Sequence, residues 1–406
     1  MVDLTVDDGR RTMSATRVKV LAIVDKIIFC AFAAMVFMFA ISNAAVEICF
    51  GVIYFFLIVR AFLWRLRLRQ VKQFFLEPAN LSVLIFYATI ALSLFVSTDF
   101  HKSFHAWFFK WGQGVFLFYF GRIFLKRGQV QVLLKIFAAC AVLVGIDGLY
   151  QKLHGVDFMM GNQDGSRRVG ATFTNANNLA AYLIVPVFIV FSLSLSAKKW
   201  WKVIPFVGFT LVLSCFFLTY SRGAWIGFFS GLIVWFIISS RRHKLVLLAV
   251  FAACIAFVWR APFAHQRIVA IFQTGGDAHR FELWRAAWAM FKESPIVGKG
   301  IGLFMDQMSA YGTLNNCYAH NCYLQMLAET GVFGLLGFLG MLATVFYQAA
   351  VYLKRQYDGL CYGLLTGLFA FLVYGFFDTQ FYSLRLVMLF WVLLSFLSVY
   401  SSPTRE

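Results

Sequence analysis

Residues 178–197 read NLAAYLIVPVFIVFSLSLSA. The run contains no charged side chain, and about 20 helical residues match the thickness of a bilayer's hydrocarbon core. Within hydrocarbon every backbone N–H and C=O must be satisfied inside its own segment, so such a run is expected as a helix. The apolar–polar alternation of a barrel strand is absent. Similar runs recur on both sides, near 20–40, 43–59, 80–97, 105–123, 130–150, 203–219, 223–239, 244–259, 321–350, 359–376 and 384–400. The expectation is an all-α, polytopic transmembrane helix bundle of about twelve spans, forming a single transmembrane domain over 1–406.

Composition agrees. The chain has 406 residues, of which 61% are hydrophobic and only 13% charged, against about a quarter charged in soluble domains. Its net charge of +18 would suggest nucleic acid in a soluble protein. Here the bases flank apolar runs instead, and membrane lipids, not nucleic acid, are the expected surroundings. Arg10, Arg11, Arg17 and Lys19 precede the first run; Arg60, Arg65, Arg67, Arg69 and Lys72 follow the second. Further clusters are Lys126 and Arg127; Lys198, Lys199 and Lys202; Arg241, Arg242 and Lys244; and Lys354 and Arg355. All fall on one side of an alternating path, which places both termini in the cytoplasm. An uncleaved first span fits the N-terminus better than a cleaved leader, because further spans follow at once. The cysteines sit mostly in apolar runs and read as small buried residues.

Two connections on the opposite, outward face are long: 151–177 and 260–320. Long connections between spans usually carry function. In the second, Phe281, Trp284, Trp288 and Phe291 make an apolar stripe at helical spacing. That helix can lie in the membrane interface or pack on the bundle. Ser294-Pro295 ends it, and Gly298, Gly300 and Gly302 form a turn. GKGIG lacks the strand and the spacing of a phosphate loop. Gly331, Gly334, Gly337 and Gly340 read as a close-packing stripe on the next span.

The outward face collects Arg167, Arg168, Arg222, Arg260, Arg267, Arg280 and Arg285, against the expected charge bias. Arg222 lies in Tyr220-Ser221-Arg222-Gly223, a hairpin too short to leave the membrane surface. Its guanidinium suits phosphate oxygens, although snorkelling to headgroups would also place it there. His320, in NCYAHN, stands at the mouth of a span as a structural residue or a general base. Cys317, His320 and Cys322 match no zinc spacing and no metal is expected; two free thiols are the default and a disulfide is the alternative. Asn175, Asn177 and Asn178, in GATFTNANN, can cap a helix or bind a sugar. Asp25, Lys26, Glu47, Lys135, Asp147, Glu329 and Asp378 are the ionisable residues near or within spans. Asp25 and Lys26 read as interfacial or mutually paired. Glu329 and Asp378 can orient the outward arginines or bond across helices.

Three pieces taken together resemble the O-antigen ligase and polymerase superfamily of inner-membrane glycosyltransferases. They are Ser221-Arg222-Gly223-Ala224-Trp225; Arg280 with Trp284, Pro295 and the Gly298–Gly302 turn; and His320-Asn321-x-Tyr323-Leu324-Gln325-x-Leu327-x-Glu329-x-Gly331. The shared region would cover 170–340. The resemblance implies a periplasmic active site in a Gram-negative inner membrane and transfer of an undecaprenyl-pyrophosphate-linked glycan without metal, nucleotide or other cofactor. In the ligase branch, preferred here, the acceptor is a sugar hydroxyl of lipid A–core, completing lipopolysaccharide. A polymerase would extend a second lipid-linked glycan, and an oligosaccharyltransferase would modify protein. The family's essential residues fall on Arg222, Arg280 and His320, with Arg285 the alternative register for the second arginine. Arg168, Asn177, Tyr220, Glu329 and Asp378 are the further substrate-binding candidates. The arginines would stabilise charge on the departing pyrophosphate while His320 takes the acceptor proton, inverting the anomeric centre. A transporter, the rival from another class, would place its polar residues near the midplane; the span centres here are nearly free of charge.

Overall fold

A computed structural model describes residues 15–63, 68–163, 167–197, 203–239, 241–273, 278–312, 314 and 316–402. Arg10, Arg11, Arg65, Arg67, Lys198, Lys199 and Lys202 lie outside them. Its helices, in chain order, are α1 (Ala15–Met38), α2 (Asn43–Leu63), α3 (Leu68–Leu76), α4 (Pro78–Ala91), α5 (Phe100–His105), α6 (Gln113–Phe124), α7 (Arg127–His154), α8 (Ala176–Ser196) and α9 (Val203–Leu218). There follow α10 (Arg222–Ile238), α11 (Arg241–Arg260), α12 (Pro262–Gln273), α13 (Ala278–Glu293), α14 (Phe304–Gln307), α15 (Cys322–Arg355), α16 (Gly359–Tyr374) and α17 (Leu384–Ser401). The fold is all-α. Every expected apolar segment is helical, but among the described residues only seven helices are long and apolar enough to cross a membrane. Three more, α9, α10 and α16, are apolar but shorter. The expected span at 105–123 is not one α-helix: a π-helical stretch, Ala106–Gly112, joins α5 to α6.

Burial sorts the helices. A helix that is apolar all round belongs inside, and α8 and α17 have 83% and 89% of their apolar windows buried, against 11% for α2 at the periphery. The serines of α8 do not disturb this, because Ser192 and Ser194 donate to the carbonyls of Ile189 and Phe191. Close packing at the centre follows from glycine. A Cβ on Gly227 of α10 would lie 2.5 Å from the Ala370 carbonyl of α16. One on Gly367 of α16 would lie 2.9 Å from the Val185 carbonyl of α8. The two glycines let three backbones approach as a packed layer.

Gly331 departs from its expected packing role. It breaks α15 with φ 64°. The opened backbone is satisfied by the segment after α13. Val332 N–H donates to Pro295 O at 2.8 Å and Phe333 N–H to Ile296 O at 3.3 Å. In return Lys299 N–H and Gly300 N–H donate to Ala328 O and Glu329 O, both at 3.0 Å. Broken backbone within a membrane protein persists where protein groups re-satisfy it in this way. Gly337 does pack as expected, against Thr89 and Phe86 of α4, whereas a Cβ on Gly340 would meet open space.

The segment 260–320 is largely helical, through α12, α13 and α14. α13 buries Leu283, Ala286, Ala287 and Met290; Leu283, Ala287 and Met290 cluster with Phe304, Met308 and Ala328. Phe281 and Trp288 of the aromatic stripe are exposed. The helix therefore packs on the bundle by its small-residue face and keeps these two aromatic rings outside. Asp25 pairs with Arg60 at 2.6 Å, not with Lys26. Asp147 is buried and accepts from the N–H groups of Phe158 and Met159, fixing the 151–177 connection.

Candidate active site

Three helix starts meet at the end of α16. Asn175 caps α8, its side chain accepting from Asn177 N–H at 2.8 Å. Ser221 precedes Arg222 at the start of α10. Asn321 caps α15, accepting from the N–H groups of Tyr323 and Leu324 at 3.0 Å each. Tyr374, the last residue of α16, ties them together. Its hydroxyl lies 3.1 Å from Ser221 Oγ, 3.3 Å from Asn177 O and 3.1 Å from Asp378 Oδ2. Cys322 N–H donates to Gly375 O at 2.7 Å and Tyr323 Oη donates to Leu372 O at 2.7 Å, locking the start of α15 onto the end of α16.

His320 and Asp378 meet across this junction, with Nδ1 3.0 Å from Asp378 Oδ1. The same oxygen accepts from Thr379 N–H at 2.9 Å. Burial alone would raise the Asp378 carboxyl. The His320 bond and charge, the Thr379 N–H and the charge of Arg280 outweigh it and hold the carboxyl below its ordinary range. An ionised Asp378 accepts from Nδ1–H, which makes Nε2 the proton-accepting nitrogen. The imidazole is 39% exposed, so that nitrogen can reach a substrate.

Arg168, Arg222 and Arg280 gather beside this pair. Arg168 Nε donates to Thr219 O at 2.8 Å, and its terminal nitrogen donates to Asn177 Oδ1. Burial first, and then the like charges of Arg280 and Arg222, pull the Arg168 guanidinium down, against Tyr374 and Asp378. Arg280 acts on both Asp378 and Arg168. Arg285, five residues along α13, points roughly 140° away at 3.6 residues per turn and is exposed. Like charges gathered in this way make a seat for an anion, and the three helix starts add positive potential.

The backbone is strained at the same place. Arg167, Tyr220 and His320 adopt φ of 60°, 51° and 48°. Such conformations in non-glycine residues cost of order 1–3 kcal/mol each and concentrate at functional sites. Tyr220 uses this turn to bury its ring edge-on to Phe263 at 4.6 Å and against Trp225. It forms a wall of the hairpin instead of presenting its ring to a ligand. Glu329 does not face the arginines either. It accepts from Gly302 N–H at 2.9 Å, Phe304 N–H at 3.3 Å, Gln325 Nε2 at 3.1 Å and Tyr382 Oη. Cys317 and Cys322 are free thiols, and Cys322 Sγ donates to Asp378 O at 3.1 Å. Among the described residues no three His, Cys, Asp or Glu side chains gather as a metal set.

Residues 207–339 match the O-antigen ligase family. The chain carries a domain of that family. The matched stretch contains Arg222, Arg280 and His320, while Arg168, Asn177, Tyr374 and Asp378 lie outside it. The teichuronic acid biosynthesis protein TuaE of Bacillus subtilis (strain 168) is 24% identical over 288 residues, 64% of this chain. The chain spans 59% of that relative's length. The chain is thus a multi-pass membrane protein in which residues 207–339 are similar to O-antigen ligases. One residue of the cluster had no counterpart in the sequence reading: Tyr374, a tyrosine at the end of an apolar run; Ser221 stood in a quoted motif but was given no role of its own. Asp378 was singled out, but its bond to His320 joins residues 58 apart in sequence.

Proposed function

We propose that this chain transfers a polyprenyl-pyrophosphate-linked glycan to a sugar hydroxyl, with its active site on the periplasmic face of a Gram-negative inner membrane. The observation that carries the reading is the pairing of the His320–Asp378 couple with the arginines of the neighbouring helix starts. A base and an anion seat side by side are what displacement of a pyrophosphate by an alcohol requires. His320 Nε2 takes the acceptor hydroxyl proton as the oxygen forms its bond to the anomeric carbon. On the opposite face the bond from that carbon to the phosphate oxygen breaks, and its electron pair leaves with the lipid pyrophosphate. Arg222, Arg280 and Arg168 stabilise the charge that collects there. Asp378 stabilises the imidazolium until its proton passes to the leaving group or to water. Attack opposite the leaving group inverts the centre.

The acceptor we favour is lipid A–core. The similarity to a protein named for teichuronic acid biosynthesis supports a second reading, in which the same site lengthens a lipid-linked glycan. One assay separates them. Purified protein receives undecaprenyl-pyrophosphate glycan in chelator without nucleotide, with either lipid A–core or further lipid-linked glycan, beside His320→Ala. Modified lipid A–core from the wild type alone supports ligation. Lengthened lipid-linked glycan alone supports polymerisation. Neither product, from folded protein with a matched donor, removes the transferase reading.

A further inference from the structure

A cavity of about 650 Å³ lies beside the segment that leads into His320 and has Tyr318 in its wall. Its lining includes Lys110, Gln113, Tyr318, Gln325, Glu329 and Tyr382. That volume falls within the ~300–1,000 Å³ of small-molecule sites. The cavity reaches the segment just before His320. Tyr318, two residues before His320, packs at a tilt against Tyr382 with ring centres 5.3 Å apart. Gln325 accepts from Ala319 N–H at 3.0 Å and so holds the backbone just before the histidine.

Lys110 stands out within it. Its Nζ rests 4.4 Å from the centre of the Tyr382 ring, and among the described residues no ion pair holds it. Glu329 attracts it electrostatically, but that carboxylate already accepts from Gly302, Phe304, Gln325 and Tyr382. Gln113 adds a buried carbonyl oxygen without a partner among the described residues. Lys110 is presented by the π-helical stretch Ala106–Gly112, a distortion that is rare and recurs at functional sites. His101, Lys102 and His105 stand on the same helical edge; Lys102 is held by Asp306 at 3.2 Å. A half-buried cation without an ion pair, lining a cavity beside a buried and unsatisfied amide, calls for an anionic ligand.

We propose that this cavity binds the acceptor sugar, and that the sugar carries a carboxylate or phosphate which Lys110 receives. The word acceptor rests on the transfer reading above; the anionic sugar site does not. The donor's pyrophosphate sits with the arginines, the acceptor enters from the Lys110 side, and His320 lies between them.

Saturation-transfer NMR on the full chain in detergent tests this with methyl glucuronide, a glucose phosphate and neutral methyl glucoside. The wild type is expected to prefer one or both anionic sugars over the neutral one by about tenfold or more, the effect of one charge-assisted bond. Which anion is preferred identifies the charged group. Lys110→Met is expected to abolish the preference and Lys110→Arg to keep it. Gln113→Glu, which leaves Lys110 in place, should abolish it by adding a competing carboxylate. Arg222→Ala should leave it intact. No preference in the wild type, a preference that survives Lys110→Met and Gln113→Glu, or its loss in Arg222→Ala would each overturn the assignment. Anion-selective binding without any transfer would instead retain the site and remove the transfer reading.

Discussion

Replacing Asp378 with asparagine removes a charge while leaving the hydrogen-bonding shape almost unchanged. Asp378 Oδ1 accepts from His320 Nδ1 and Thr379 N–H, and Oδ2 accepts from Tyr374 Oη. In the asparagine variant the amide oxygen can keep the first two bonds. The amide NH2 then donates to Tyr374 Oη, whose own proton can turn to Asn177 O, already 3.3 Å away. The imidazole tautomer survives, and the loss is the charge-assisted part of one bond. Bonds to charged groups are worth about 1.5–3 kcal/mol against about 0.5–1.5 for neutral ones, so that part is about 1–1.5 kcal/mol, or roughly a five- to tenfold fall in turnover at 1.4 kcal/mol per decade. Asp378→Ala also frees the imidazole to change tautomer and tilt, so its turnover falls further, into the ~10²–10⁴-fold range of a lost general base. The assay is single-turnover transfer with saturating donor and acceptor, on protein whose detergent elution and melting match the wild type. Full turnover in Asp378→Asn, or equal loss in both variants, would refute the argument that Asp378 acts through the charge and orientation of His320.

Other expectations concern the remaining parts of the site. Arg280→Ala should lower turnover by about 10²–10³, as removal of a preformed donor to a developing oxyanion does. Arg285→Ala should stay near wild type, and the reverse order would reassign the second arginine. Gly331→Ala puts a Cβ against the Ile296 carbonyl at φ 64°, so it should cost about 1–3 kcal/mol, read as a lower melting temperature together with lost transfer. Asp378 has a folded value below its ordinary 3.8. Its stabilising contribution is therefore complete above about 3.8 and is lost as pH falls through the lower folded value. Asp378→Asn should flatten the acid limb of melting temperature against pH, whereas an unaltered limb would assign it to other carboxylates.

The helices were legible because hydrocarbon leaves the backbone no other partner: every apolar run read from the sequence is helical. How many of them cross was less legible. The apolar stretches of α9, α10 and α16 are shorter than the usual span, and the run at 105–123 is broken by a π-helical segment carrying Lys110. Which face of α13 packs on the bundle was not legible, for a related reason. Aromatic residues at 3-4-3 spacing look like a buried stripe, but Ala286 and Ala287 allow a closer approach than Phe281 and Trp288 do, and small residues are what membrane helices bury against each other.

The site was half legible, and chain geometry explains which half. Arg222, Arg280 and His320 could be named from local motifs; the partner of His320 could not. Cys322 N–H reaches Gly375 O at 2.7 Å, so the chain between them must return on itself. A straight helix from 322 to 355 would extend roughly 50 Å, and 359 to 375 would return roughly 24 Å at 1.5 Å per residue. The connection between 355 and 359 adds at most about 15 Å. About 39 Å cannot close a span of about 50 Å, so α15 has to bend. Gly331 is where it does so, at φ 64°, with the Pro295–Gly300 segment filling the opened backbone. The glycine that looked like one member of a packing stripe is thus the condition for His320 to meet Asp378. It also couples the segment following Arg280's helix to the histidine. His320, Asp378 and Arg280 are linked through one break in one helix, and perturbing the 295–300 segment should loosen all three together.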